Sequence, residues 1–138
     1  MATLKISELS VGDWVYYDKG NTPYSISGIY RTDRQDCVVL DDKEYADGVI
    51  AFVDILTPIP ITAEMLVKNG FAKYSEREWG CNDDSPYHTF IHIDTSDETM
   101  WFISFPTIFN LIWDHPIYYI HELQHLIRLA GVDKEINL

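Results

Sequence analysis

The first 60 residues alternate between short apolar runs and clusters of turn-forming residues that contain Gly-Asp, Gly-Asn and Asp-Gly pairs. The apolar runs are rich in β-branched and aromatic side chains, which pack well on a pleated surface. They predict strands at Trp14–Tyr17, Tyr24–Tyr30, Cys37–Leu40 and Val49–Val53, and a last extended piece from Ile55. Four or five short strands in about 55 residues predict a small antiparallel barrel of SH3-like scale.

The spacing of apolar residues changes after residue 60. Thr62 is suited to cap a short helix over Ala63–Asn69, and Gly70 suits the left-handed position that ends it. Residues 74–86 are acidic and contain a Trp and a Gly, so they predict a solvated loop.

Two apolar runs, Tyr87–Ile93 and Thr99–Phe105, flank a polar segment at Asp94–Glu98 and predict a β-hairpin. Residues 108–113 are apolar and ambiguous between strand and helix. A proline at one end and a glycine at the other bound residues 116–131, which predict a final helix of about 15 residues.

Strands in the first half and helices in the second predict an α+β fold. An SH3-like barrel subdomain over residues 1–58 is expected to pack with residues 59–138 as one compact unit. The second subdomain is expected to hold the hairpin and two helices, of which the C-terminal one is long.

Composition and charge narrow the classes of function. Hydrophobic residues make up 46% of the chain and aromatic residues 14%, which is enough for a packed interior and argues against disorder. The formal net charge is −12, from 10 basic and 22 acidic side chains. Neither half has a basic excess, so we expect no nucleic-acid binding. A basic protein or a metal cation suits this field better.

The chain opens directly on patterned sequence, without a basic and then apolar leader, and no stretch reaches the roughly 18 apolar residues of a membrane span. We therefore expect a cytoplasmic protein without membrane association. Cys37 and Cys81 form no C-x-x-C pair, so they are expected as reduced thiols in that compartment, with a disulfide between them as the alternative.

The segment His121–His125 reads His-Glu-Leu-Gln-His and matches the H-E-x-x-H pattern. Residues four apart share a helix face, so His121 and His125 could both reach one Zn²⁺. Glu122 could then act as general base on the metal-bound water. The motif therefore raises the alternative of a zinc-dependent hydrolase with these three residues in its site.

Two features favour an ordinary helix surface over a zinc site. A catalytic zinc needs a third protein ligand, but Arg128 and Gly131 stand where the longer motif has Gly and His. On a helical wheel, His121 and His125 lie nearly opposite the apolar stripe, beside a guanidinium that would repel a dication. The imidazoles are therefore predicted to face bulk water, and we expect no metal, no cofactor and no catalytic residue.

The sequence offers three weaker candidates for a functional site, two for metal binding and one for partner contact. His88 and His92 share a strand face but lie about 13 Å apart, too far for one ion, and are expected as half-exposed sheet residues. The acids of residues 76–84 could bind Ca²⁺ but lack EF-hand spacing, so a flexible acidic loop is favoured. Trp79 lies in that segment and is predicted to be an exposed aromatic residue that contacts a partner.

Three segments carry a family resemblance: Leu9–Val15 (Leu-Ser-Val-Gly-Asp-Trp-Val), Pro58–Phe71 and Ile120–Leu126. In these segments, and nearly end to end, the chain resembles a family of small uncharacterised proteins from gut anaerobes and their phages and mobile elements. Related chains can carry Asn where His125 stands, which weakens the zinc interpretation. The family has no assigned activity, so the resemblance implies no catalytic residue.

These observations together predict a non-enzymatic interaction or accessory protein, of phage or mobile-element origin, that binds an unidentified protein partner. The zinc-dependent hydrolase centred on His121, Glu122 and His125 is the alternative. A structural accessory protein without a ligand is a third possibility.

Overall fold

The computed structural model describes residues 3–82, 89–106 and 111–138. The chain divides into two compact units, Met1–Ile59 and Pro60–Leu138. The boundary lies one residue beyond the predicted one at residues 58 and 59. No helix among the described residues is long and apolar enough to cross a membrane.

The first unit is an antiparallel sheet in the order β4-β3-β2-β1-β5. Its strands agree with the predicted ones in order and position: β1 (Trp14–Tyr17), β2 (Pro23–Arg31), β3 (Asp36–Leu40), β4 (Val49–Phe52) and β5 (Leu56–Pro58). Single 3₁₀ turns stand at Ile6–Glu8 and Val53–Ile55. Strands β4 and β5 are the two ends of this order, and no pairing closes the sheet among the described residues. The predicted closed barrel is therefore not confirmed.

The inner face of this sheet forms the core of the first unit. Strand β2 contains a bulge. Ile26 pairs with Leu40 and Gly28 pairs with Val39, so two steps along β2 correspond to one step along β3. The extra residue, Ser27, lets aliphatic side chains on both sides of the bulge point inward. The fully buried aliphatic residues are Val15, Ile26, Val38, Leu40 and Leu56. Each contributes about 1.5–3 kcal/mol by leaving water.

The second unit is an α+β arrangement, which confirms the predicted fold class. Its five-stranded sheet has the order β10-β9-β8-β7-β6. The strands are β6 (Ala72–Lys73), β7 (Glu78–Asn82), β8 (Thr89–Asp97), β9 (Met100–Phe105) and β10 (Leu111–Ile112), and the helices are α1 (Ala63–Lys68) and α2 (Ile120–Leu129).

Helix α1 and the β8–β9 hairpin follow the prediction. The Thr62 hydroxyl accepts a hydrogen bond from the Met65 amide at 3.2 Å, and Gly70 ends the helix with a φ of +83°. The hairpin turn is tighter than expected, because Asp97 still belongs to β8. The Thr99 hydroxyl and amide and the Met100 amide donate to Asp97, and these bonds lower the pKa of that carboxyl.

The predicted solvated loop at residues 74–86 is wrong for Glu78–Asn82, which form strand β7, paired between β6 and β8. The prediction failed because it followed the acidic composition of the segment and overlooked the apolar side chains that recur at every second residue. Trp79 and Cys81 are buried on one face, whereas Glu78 is exposed. Residues 83–86 of this prediction lie outside the described residues.

The final helix is shorter than predicted, because it begins at Ile120 and not near residue 116. Ile117 is held in an extended ladder with Trp101, with N···O distances of 3.0 and 2.7 Å, and Tyr119 forms a bridge with Pro60. The Ile117 amide and carbonyl are thus engaged in strand-like pairing and cannot join a helix, whereas the Tyr119 carbonyl accepts the first hydrogen bond of α2, from the Leu123 amide. The predicted exit is confirmed, because Gly131 has a φ of +72° and its amide donates to the Arg128 carbonyl at 3.0 Å.

Replacing Gly48 with Ala is expected to destabilise the first unit by more than about 2 kcal/mol. Gly48 has a φ of +78°, and an added Cβ would lie 2.6 Å from the Leu40 oxygen and 2.7 Å from a Val39 methyl carbon. The left-handed backbone alone costs a non-glycine residue about 1–2 kcal/mol, and the clash adds to it. Urea unfolding curves measure the loss of stability.

Gly131→Ala is the matched control. Gly131 has a φ of +72°, but an added Cβ would meet no described heavy atom within 4 Å. Only the backbone strain, about 1–2 kcal/mol, should appear there. Equal losses for the two variants would contradict the steric argument at Gly48.

Candidate functional site

The two histidines of the C-terminal helix lie in different surroundings from those expected. His121 is only 5% exposed and His125 is half-buried, so the prediction that His121 faces bulk water is wrong. The His121 ring stacks on Tyr119 with centroids 6.0 Å apart, and the His125 ring meets its edge at 5.8 Å. The first turns of α2 are buried over a wider arc than the apolar stripe, and this arc also covers Gln124.

Glu122, the possible general base, caps this helix. Its Oε1 accepts hydrogen bonds from the amides of Tyr118 and Tyr119, both at 3.1 Å. A carboxylate at the third helical position satisfies backbone donors before the first turn and interacts favourably with the helix dipole. The structure therefore assigns Glu122 a stabilising role at the helix start.

No third metal ligand accompanies His121 and His125 among the described residues. Within that part of the chain, the only group of three or more His, Cys, Asp or Glu donors that converge consists of Glu78, His92 and Asp94. The zinc hydrolase therefore remains a prediction from the motif alone.

Trp79 is buried, so the prediction of an exposed aromatic residue is wrong. The side chain is 5% exposed and lies on the inner face of β7, where Trp79 pairs with Ile93 of β8. The Lys73 Nζ lies 5.7 Å from the ring centroid, in reach of a cation–π interaction. Trp79 thus belongs to the core of the second unit and presents no ring to a partner in this structure.

An exposed apolar surface lies instead on the outer face of β2, β3 and β4. It consists of two cross-strand rows, Tyr30–Cys37–Phe52 and Gly28–Val39–Ile50, which we call the apolar face. Directly opposed residues of antiparallel strands have Cβ atoms about 4.5–5.5 Å apart, so the side chains of each row are neighbours, and only Gly28 adds none. Tyr30 is 55% exposed, Ile50 67% and Phe52 45%.

Strand β4 adds a free backbone edge to this surface. It pairs only with β3 among the described residues. The run Val49–Val53 contains no charge and no proline, the devices by which proteins usually protect an edge strand from further pairing. The connection from β3 to β4 carries Asp41, Asp42, Glu44 and Asp47 against one lysine, so one end of the apolar face is strongly acidic.

A second surface, on the outer face of β7 and β8, is polar. Glu78 lies directly opposite Asp94 in the ladder, and His92 precedes Asp94 by two residues on the same face. Donor atoms of the three side chains all lie within 4.8 Å of one another, and His92 Nε2 is 3.1 Å from Asp94 Oδ1. His88, the predicted companion of His92, lies outside the described residues.

The two cysteines are both free thiols. Cys37 is half-buried within the apolar face, whereas Cys81 is buried on the inner face of β7. Burial raises the pKa of the Cys81 thiol, and the positive charge of Lys134 partly opposes this shift.

Sequence reasoning missed both surfaces, although each left a signal. The continuous apolar run Val49–Val53 shows no alternation, and this is the pattern of a strand whose two faces are both apolar. His92 and Asp94 are separated by a single apolar residue, which puts both side chains on one strand face. Only the strand register could add Glu78 to them.

No protein-family model matches the chain, and comparison with curated proteins and with solved structures likewise finds no match.

Substitution of Glu122 by Ala is expected to cost about 1 kcal/mol of stability, because two backbone donors at the start of α2 lose their acceptor. Glu122→Gln retains an acceptor oxygen and should lose only the charge–dipole contribution, about 0.3–1 kcal/mol. Denaturant unfolding provides the measurement. Glu135→Ala, at an exposed residue, is the control and should change stability by less than about 0.5 kcal/mol. A Glu122→Ala protein as stable as the control would refute the capping role.

The two thiols should differ in reactivity in the native protein. We expect iodoacetamide at pH 8 to modify Cys37 at least tenfold faster than Cys81, because a raised pKa leaves less thiolate and burial blocks the reagent. Peptide mass spectrometry over a time course measures the two rates. In urea the rates should converge, and faster native labelling of Cys81 would contradict the burial of β7.

Proposed function

We propose that the chain is a non-enzymatic protein-interaction module that binds its partner through the apolar face and the free edge of β4. The observation that carries this proposal is the exposure of Tyr30, Ile50 and Phe52 side by side on one sheet. Contiguous exposed apolar surface at a sheet edge is typical of interaction sites in folded proteins.

Burial of these side chains would supply binding energy. Full burial of one large apolar side chain is worth about 1.5–3 kcal/mol, and aromatic residues dominate the energetics of many interfaces. Tyr30 and Phe52 stand in the same cross-strand row with Cys37 between them. A partner side chain that covers this row would contact both rings.

The free edge of β4 suggests how the partner binds. An extended segment can add to an exposed strand edge through main-chain hydrogen bonds, while alternate side chains fill pockets on the sheet. A segment paired with Val49–Phe52 would extend the sheet. Every second side chain of this segment would then lie on the same side of the sheet as the apolar face, next to β4. We therefore propose a partner segment with apolar residues at alternate positions.

Charge indicates the remaining chemistry of the partner. The β3–β4 connection has four acids and one lysine next to Val49, in a protein of net charge −12. A partner strand with Lys or Arg at the end that reaches this connection would be attracted and oriented. A second copy of this chain fits less well, because antiparallel pairing centred on Ile50 and Ala51 would place Asp47 opposite Asp54 of the other copy.

We also propose that the first unit has an SH3-like arrangement. The order β4-β3-β2-β1-β5, the bulged strand β2 and the 3₁₀ turn at Val53–Ile55 before β5 support this proposal. Membership of a phage or mobile-element family stays a prediction from the sequence resemblance.

Selection from a random peptide library displayed on phage tests the proposed binding. We expect the untagged full chain to enrich peptides with alternating apolar residues and at least one Lys or Arg. Their affinity, measured by fluorescence anisotropy, should fall at least tenfold in Ile50→Lys and Phe52→Lys. It should also decrease with added salt, because surface charge attraction is screened.

The matched control is Val67→Lys, which places the same charge at a 63% exposed residue of α1 in the second unit. This variant should bind the selected peptides as the unsubstituted protein does. Amide hydrogen exchange should slow in β4 when a peptide is bound. Peptides that bind Phe52→Lys and Ile50→Lys with full affinity, or that protect no amide of β4, would overturn the proposal.

A further inference from the structure

The outer face of the second sheet presents a donor set that differs in chemistry from the apolar face. It combines one imidazole, from His92, with two carboxylates, from Glu78 and Asp94. We propose that these three side chains bind a divalent transition-metal ion of the zinc class. The proposal concerns the second unit only and does not depend on partner binding by the first.

The strand ladder holds the three ligands in place. Glu78 and Asp94 are directly paired residues of β7 and β8, and His92 pairs with Gly80 one step along the same face. Gly80 has no side chain, so nothing at that position stands between the imidazole and Glu78. Ligands on paired strands are held more firmly than ligands on a loop, and this lowers the entropy cost of binding.

The donor spacing fits an ion after small side-chain rotations. The three donor atoms lie within 4.8 Å of one another. Ligand atoms about 2.0–2.1 Å from a tetrahedral zinc ion are about 3.3–3.5 Å apart. The His92–Asp94 contact at 3.1 Å is already close to that separation, so the main adjustment falls on Glu78, whose side chain is exposed.

Electrostatics supplies an independent reason for a cation. Like charges placed directly opposite in an antiparallel ladder destabilise the sheet, and Glu78 faces Asp94 in this way. Among the described residues, no Lys or Arg nitrogen lies within 4.0 Å of either carboxylate. A divalent ion would neutralise both acids, whereas protonated His92 could neutralise only one.

The kind of ion follows from the ligands and the space around them. Imidazole with carboxylate suits Zn²⁺ and its neighbours among the transition metals, whereas Ca²⁺ and Mg²⁺ prefer sites made only of oxygen. A groove that opens to solvent runs beside Glu78 and Asp94 and is lined also by Arg77 and Phe102, so water can reach the two carboxylates. Three protein ligands with open positions make a weaker site than a closed four-ligand one.

Isothermal titration of the untagged full chain with ZnCl₂, in a buffer that does not chelate metals, tests the site. We expect one Zn²⁺ per chain. Affinity should fall at least tenfold in each of His92→Ala, Glu78→Gln and Asp94→Asn. His115→Ala is the matched control, because His115 is also a histidine beside an aspartate, at 3.5 Å from Asp114, but no third donor of the described residues converges on the pair. This variant should bind Zn²⁺ like the unsubstituted protein.

A second measurement uses the unsubstituted protein, so its outcome does not depend on whether the variants fold. Mn²⁺ at substoichiometric concentration should broaden backbone NMR signals around Glu78, His92 and Asp94 first. Broadening centred on His121 and His125, or loss of zinc binding in His121→Ala but not in His92→Ala, would move the site to the helix motif and overturn the proposal. Absence of zinc binding up to 100-fold molar excess would overturn it as well.

Discussion

The period of two in antiparallel strands is the constraint on which both candidate surfaces depend. In each sheet the core requires one face to be apolar, and the ladder register then determines which side chains meet on the other face. In the second sheet, Ile93 pairs with Ile103 inside, so Asp94 must pair with Phe102 outside. A slip of one residue would bury a carboxylate and expose two isoleucines. The free energy that stabilises the core therefore also fixes the geometry of the outer faces.

The two outer faces differ in chemistry although the same rule builds them. On β2–β4 the outward positions are apolar, which leaves Ile50 and Phe52 in water beside an unprotected strand edge. Such an edge favours unwanted association, and the acidic β3–β4 connection and the net charge of −12 act against it. On β7 and β8 the outward positions include the two carboxylates of Glu78 and Asp94 and the imidazole of His92. One unit thus offers a surface for apolar contacts, and the other offers one for a cation.

The C-terminal helix illustrates how the surroundings of a helix change the burial that its own pattern predicts. Its histidines have the spacing of a zinc site, and Glu122 between them accepts hydrogen bonds from two backbone amides at the start of the helix. The helical wheel placed His121 on the solvent-exposed face, because a wheel assumes that only the apolar stripe of a helix is buried. In the first turns of α2, residues outside the apolar stripe are buried as well. His121 is one of them, and its ring is stacked on Tyr119. A wheel describes the helix alone and not what surrounds it.

The sequence by itself determined the features whose causes are local. These are the strands of the first unit, the Thr62 cap and the glycine exit at residue 131, because side-chain branching, capping hydroxyls and left-handed backbone act over a few residues. Only the tertiary structure decided where α2 begins, that an acidic segment becomes strand β7, and that Glu78 meets His92. Each of these depends on a pairing partner distant in the chain, and the residues themselves carry no local signal of which partner that will be.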